Sequence, residues 1–101
     1  MPKIKVIIKE PGKKARFAWI SPSLKNLQNW VGGFIETVTI AENLVIICNE
    51  EGRLLDLPYN FDFCNLSFVG TVIFAGVDED EFCSIPDTEN LLMFLGLEDK
   101  K

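Results

Sequence analysis

Strict alternation opens the chain. In Lys3-Ile4-Lys5-Val6-Ile7-Ile8-Lys9, the side chains of Ile4, Val6 and Ile8 fall on one side of an extended backbone, the pattern of a half-buried strand. Glu10-Pro11-Gly12-Lys13-Lys14 interrupts it with two turn-forming residues. Arg16-Phe17-Ala18-Trp19-Ile20 resumes an extended pattern with Phe17 and Trp19 on one face, so the two runs predict a hairpin. The period then changes. Ser21-Pro22-Ser23 offers a helix cap, and Leu24, Leu27, Trp30 and Val31 share one face of a helix of about 8–10 residues. Gly32 stands where a glycine accepts the left-handed conformation that ends a helix.

Residues 33–40 predict a third strand. Residues 44–48 form an uninterrupted apolar run, as expected of a strand covered on both faces. Asn49-Glu50-Glu51-Gly52 reads as a turn. Residues 54–60 have no clear period, and Pro58 argues against a central strand there. Residues 68–77 predict another strand, followed by an exposed acidic loop, Asp78-Glu79-Asp80-Glu81. Ser84-Ile85-Pro86-Asp87 predicts a second helix start, with Leu91, Leu92, Phe94 and Leu95 as its apolar face and Gly96 as its stop. Strands and helices are not strictly interleaved, which disfavours a doubly wound parallel sheet. The expected architecture is a single α+β domain over residues 1–101: a mostly antiparallel or mixed sheet of about five strands with two helices packed on it.

Composition fits that architecture. The chain has 101 residues, 48% hydrophobic and 11% aromatic, enough for a core without disulfides or a structural metal. The longest apolar stretch, residues 68–77, is well short of the roughly 20 residues of a membrane helix. The alternating start lacks the apolar segment of a signal peptide, so the cytoplasm is the expected compartment. Cys48, Cys64 and Cys83 are widely spaced, with no CxxC pair, and read as free thiols in a reducing compartment. Histidine is absent. That removes Ser-His and Cys-His nucleophile pairs and the HExxH zinc site. Any chemistry would run on carboxylates, Lys or Cys, and the expectation is a non-enzymatic protein with no metal and no other cofactor.

Charge is divided along the chain. Residues 1–31 carry seven Lys or Arg and one acid, Glu10; residues 32–101 carry three Lys or Arg and fourteen acids, for a net charge of −5. The balance argues against nucleic acid as a partner, and the split suggests oppositely charged strands or faces meeting within the fold.

Four stretches carry a resemblance. They are Val31-Gly32-Gly33-Phe34-Ile35-Glu36, Cys48-Asn49-Glu50-Glu51-Gly52-Arg53-Leu54, Leu57-Pro58-Tyr59-Asn60, and Gly70-Thr71 with Gly76. In words they read VGGxIE, CNEEGxL, LPxN and GTxxxxG. Together they resemble an uncharacterised family of small bacterial proteins, often encoded on plasmids, conjugative elements and phage. The chain departs from that pattern after Asn60, where the family tends to place an Arg and a short acidic turn and Phe61-Asp62-Phe63-Cys64-Asn65 stands here. The resemblance implies a shared fold and a mobile-element setting, and no activity.

Four residues stand out as candidates for ligand or partner contact. Glu36 shares a strand face with Phe34, Val38 and Ile40, where an unpaired buried carboxylate would be costly. It either finds a basic or backbone partner inside the fold or meets a ligand at the sheet edge. Asn49 and Glu50 lie in a turn after the most apolar strand, and Asn60 follows Pro58. These three offer amides and a carboxylate to a polar ligand, or else close turns on their own backbone. Gly32-Gly33 follows a helix instead of preceding one and is no phosphate loop. The acidic run lacks the spacing of a calcium loop. Trp19, Trp30 and Tyr59 are assigned to the core in preference to a base-stacking platform. The leading expectation is an accessory protein that binds a protein partner or a small polar ligand and no membrane, with homodimerisation left open. A carboxylate-dependent enzyme using Glu36 or Glu50, and a structural, oligomer-forming module, are the alternatives.

Overall fold

Strands β1 (Ile4–Lys9) and β2 (Arg16–Ile20) form the hairpin that the alternation predicts, with Val6 opposite Ala18 and Ile7 opposite Phe17. Helix α1 (Leu24–Val31) follows. The Ser23 hydroxyl accepts from the Asn26 N–H at its start, and Gly32, at φ 83°, donates its N–H to the Gln28 carbonyl at its end. Strands β3 (Ile35–Ala41) and β4 (Leu44–Asn49) make a second hairpin, with a register shift between Thr39 and Ala41. Two short strands, β5 (Tyr59–Phe63) and β6 (Leu66–Val69), pair with each other alone. Strand β7 (Val72–Asp78) and a short β8 (Glu81–Cys83) complete the order. The computed structural model describes residues 2–63 and 65–86. The second helix expected from residue 84 onward lies, but for its first residues, outside the described residues, as does Cys64.

The main sheet runs β2-β1-β7-β4-β3, with β8 added to β7. Every pairing among the described strands is antiparallel. Gly76 of β7 faces Leu44 on one side and Cys83 on the other, so β8 continues along the edge of β7 that β1 occupies lower down. The chain beyond it is tied to β1: Ile85 N–H donates to the Lys5 carbonyl, and the Ser84 hydroxyl accepts from the Lys5 N–H.

Both faces of this sheet are covered. On one side lies α1, whose Leu27 and Val31 pack with Val6, Ile8, Val45, Ile47, Ile73 and Ala75. On the other lies the β5–β6 hairpin, whose Phe61 and Phe68 stack at 5.1 Å and pack with Ile7, Leu44, Ile46, Val72 and Phe74. The middle of the sheet therefore buries alternate residues in opposite directions. All six residues of β4 are buried, as its uninterrupted apolar run predicts. Ile7 is buried as well, so β1 is covered on both faces at its centre, beyond the half-burial that its alternation suggests.

Four expectations need correction. Among the described residues the sheet has six strands and the hairpin two more, against about five expected. The run 68–77 is two strands in two layers, because Gly70 at φ 72° turns the chain from β6 into β7. The acidic loop is a tight hairpin whose Glu79 and Asp80 both take positive φ. Trp19 and Tyr59 are outside the core: Trp19 is 61% exposed and Tyr59 59%, while Trp30 packs against the helix-side cluster. The sheet order separates basic β1 and β2 from β3 but sets the acidic turn of residues 78–81 on the β1 side of β7. Basic β1 and β2 sit at one edge and Glu36-bearing β3 at the other, with β7 and β4 between them. The Arg16–Glu10 ion pair, at 2.7 Å, stays within the basic third.

Candidate functional site

The site forms where the β5–β6 layer ends over the acidic edge of the sheet. Glu36 faces Cys48 across the β3–β4 register, on the face that the hairpin covers. Its neighbours on that face, Val38 and Ile40, pack against the hairpin-side cluster, whereas Glu36 itself is exposed. Between it, β6 and the turn after β4 lies an open groove of about 270 Å³. Glu36, Glu50 and Glu51 line it together with Val38, Leu54 and Leu66. Arg53 lines it too, and its guanidinium donates to the Ser67 carbonyl at 2.8 Å, tying the turn to β6.

Asn49 holds the turn in shape. Its Nδ2 donates to the Val31 carbonyl at the end of α1, and its Oδ1 accepts from the Glu51 N–H at 2.7 Å. Glu50 N–H donates to the Phe34 carbonyl at 2.8 Å, and Gly52 N–H to the Asn49 carbonyl. The side chains of Glu50 and Glu51 are thereby carried outward on a backbone fixed at both ends. Asn60 does the same work elsewhere. Its Nδ2 donates to the carbonyls of Lys9 and Gly70, and its Oδ1 accepts from the Lys9 ammonium at 3.0 Å. Asn60 does not line the groove; Asn49 does, with its amide engaged inside the fold. Of the four residues singled out in the sequence, the structure thus brings Glu36, Asn49 and Glu50 together.

Three features of the groove escape sequence reading. Cys48 borders it, and burial followed by the Glu36 carboxylate pushes its thiol from an ordinary 9.0 up to about 11. That is the opposite of the lowered value a nucleophilic thiolate needs. Arg53 and Ser67 meet because the β5–β6 hairpin folds back over the turn; the Arg in the CNEEGRL stretch is the signal that was available. Exposed apolar residues surround the carboxylates: Leu54 is 85% exposed, and Phe34 and Leu55 stand beside Glu51 in an adjoining hollow. Among the described residues, no group of three His, Cys, Asp or Glu side chains is placed to hold a metal ion, and no helix is long and apolar enough to cross a membrane.

The model of one family, a domain of unknown function (DUF3846), matches residues 4–95 of the chain. The chain belongs to that family. The DUF3846 match spans the β1–β2 hairpin, α1, the groove and the β5–β6 layer, so the whole described fold is the family's domain. Neither a curated protein nor a solved structure matches the chain.

Proposed function

We propose that this DUF3846 domain is a non-enzymatic binding module, an accessory protein of a bacterial mobile element, that captures an extended, basic segment of a protein partner along β3. The observation that carries this reading is the outer edge of β3, unpaired among the described residues, beside an acid-lined groove. Among the described residues β3 has a neighbour on one side alone. Its sequence, Ile-Glu-Thr-Val-Thr-Ile-Ala, contains no Pro and no Lys, the residues that usually blunt such an edge. An added strand would satisfy the free N–H and C=O groups of β3 and point alternate side chains toward the hairpin face, where Glu36 stands. Lys or Arg at those positions would meet Glu36, Glu50 and Glu51, and apolar residues would meet Leu54, Leu66 and Phe34. The mobile-element setting rests on the resemblance of the four sequence stretches.

The test uses two synthetic peptides, one alternating Lys with Val and one alternating Glu with Val, each about six residues long, the usual length of a strand. In ¹⁵N NMR titrations the Lys peptide should shift the amides of β3 and of the turn at Glu50 and Glu51, and the Glu peptide should not. Replacing alternate peptide amides of the Lys form with N-methyl groups should abolish binding, because strand addition needs those donors. Equal binding of the N-methylated peptide, or shifts confined to other strands, would refute the proposal.

A further inference from the structure

The opposite edge of the sheet carries a surface of another character. Phe17 and Trp19 are two apart on β2 and share a face, with Phe17 46% and Trp19 61% exposed. They lie beyond the cover of the β5–β6 hairpin, although Ile7, paired with Phe17, is fully buried. Lys5 pairs with Trp19 across the β1–β2 register. Its ammonium lies 4.7 Å from the centre of the Phe17 ring, a cation–π contact that steadies both side chains. Lys3, two residues before Lys5, has the same facing and is exposed, and Lys13 is exposed in the turn that joins the strands. The backbone beneath is rigid, since Val6, Ile7, Ile8 and Ile20 are buried. Two exposed rings on one strand, interleaved with ammonium groups, match the chemistry of bases stacked on aromatic side chains with phosphates held by cations.

We infer that the β1–β2 face around Trp19 binds a short stretch of single-stranded nucleic acid. Residues 1–31 carry seven cationic residues against Glu10, while the acidic turn of residues 78–81 lies at the far end of β8, on the edge of β7 that β1 also pairs with. Glu10 is held by Arg16 through a 2.7 Å hydrogen bond. Trp19 supplies the stacking platform, Phe17 holds the Lys5 ammonium over its ring, and Lys3 and Lys5 supply the phosphate contacts. Binding of this type is tolerant of sequence, since every base offers a flat face.

Fluorescence anisotropy with labelled oligothymidylate and oligouridylate of about 12 nucleotides, at about 50 mM salt, tests the inference on the whole chain. The expected result is binding that weakens with salt, with a duplex of the same length bound less well. Trp19→Ala should weaken binding at least about fivefold, the lower end of what one base–aromatic stack contributes. Trp19→Phe should restore most of it. Lys5→Gln should weaken binding and reduce the salt slope by about 0.7. Trp19 is exposed and Lys5 half-buried, and unchanged circular dichroism and melting of the three variants would confirm that they fold. No binding of either oligonucleotide, equal affinity for duplex and single strand, or indifference to Trp19→Ala would each overturn the inference. Retention on phosphatidylserine vesicles or concentration-dependent dimerisation, with no oligonucleotide bound, would overturn it in favour of a lipid surface or a second copy.

Discussion

Replacing Asn60 separates a structural amide from a ligand-binding one. Its side chain makes three hydrogen bonds: Nδ2 to the Lys9 carbonyl at 2.8 Å, Nδ2 to the Gly70 carbonyl at 2.7 Å, and Oδ1 from the Lys9 ammonium at 3.0 Å. They join the end of β1, the start of the β5–β6 hairpin and the turn from β6 into β7. Asn60 is 8% exposed, so water cannot readily replace the lost donors. A hydrogen bond contributes about 1 kcal/mol net, and a carbonyl left buried without a donor costs about 1–3 kcal/mol. The Lys9 ammonium keeps one partner, the Glu10 carbonyl, so its share is at the low end. Asn60→Ala should then destabilise the fold by about 2–4 kcal/mol. For a chain of this length that corresponds to a fall in Tm of about 10–25 °C. Urea unfolding should show a lower midpoint at an unchanged slope. Asn60→Asp keeps the volume of the side chain, so no cavity forms, but at neutral pH it presents acceptors to two carbonyls. The new carboxylate faces the Lys9 ammonium, which offsets part of this, so the expected cost is about 1–3 kcal/mol. A cost below about 1 kcal/mol for both variants would refute this account. So would peptide binding by the folded variant that is lost while stability is kept, which would return Asn60 to the candidate contact residues.

Two further outcomes follow from the same geometry. Because the Cys48 thiol is pushed from 9.0 up to about 11, it keeps its proton longer in the folded chain than in the unfolded one. Its contribution to stability is therefore full below about pH 9 and lost as pH rises toward 11. Unfolding titrations of the wild type and of Cys48→Ala should diverge over that interval, and Glu36→Gln, which removes the second cause of the shift, should narrow the divergence; parallel curves would contradict it. Gly76→Ala should detach β8, because a Cβ there would run into the Ser84 backbone and come within 3.0 Å of the Cys83 sulfur. The expected cost is about 1–3 kcal/mol, with the Ile85 amide losing its protection from hydrogen exchange; retained protection would show that the strands can shift to accept the methyl group.

Local rules made much of the fold legible. Helix α1 announces itself at both ends, by Ser23 and by Gly32, and its bounds fall where the caps require. The β1–β2 hairpin follows from alternation on either side of a short turn, and the burial of β4 follows from its uninterrupted apolar run. What failed were elements decided by tertiary contact. Gly70 inside an apolar run reads as a weak point in one strand, yet Leu57 packs against it and the Asn60 amide takes its carbonyl, so the chain turns there into another layer. The Glu79-Asp80 turn contains neither Gly nor Asn, the usual hairpin signals. At the site, alternation placed Glu36 on the right face but could not show that the hairpin layer stops short of it. Asn49 and Asn60 stood out as polar residues beside apolar runs. The spacing that places them there is equally suited to binding a ligand and to tying distant backbone together, and only the partners of their amides distinguish the two.

The layering itself decides where recognition can occur. Strands β4 and β7 are covered by α1 on one face and by Phe61 and Phe68 on the other, and their hydrogen bonds are taken by neighbouring strands. A partner cannot reach them without unfolding a layer. Among the described residues, what remains accessible is the two ends of the sheet, and these differ in kind. At the β3 end the free backbone edge lies beside carboxylates and exposed leucines, which suits an extended basic chain. At the β2 end the feature is a face, with rings and ammonium groups standing off the strand, which suits flat, anionic units. The strand order β2-β1-β7-β4-β3 thus sets the basic residues of β1 and β2 apart from Glu36, Glu50 and Glu51 at the β3 end, while the acidic turn of residues 78–81 stays on the β1 side of β7.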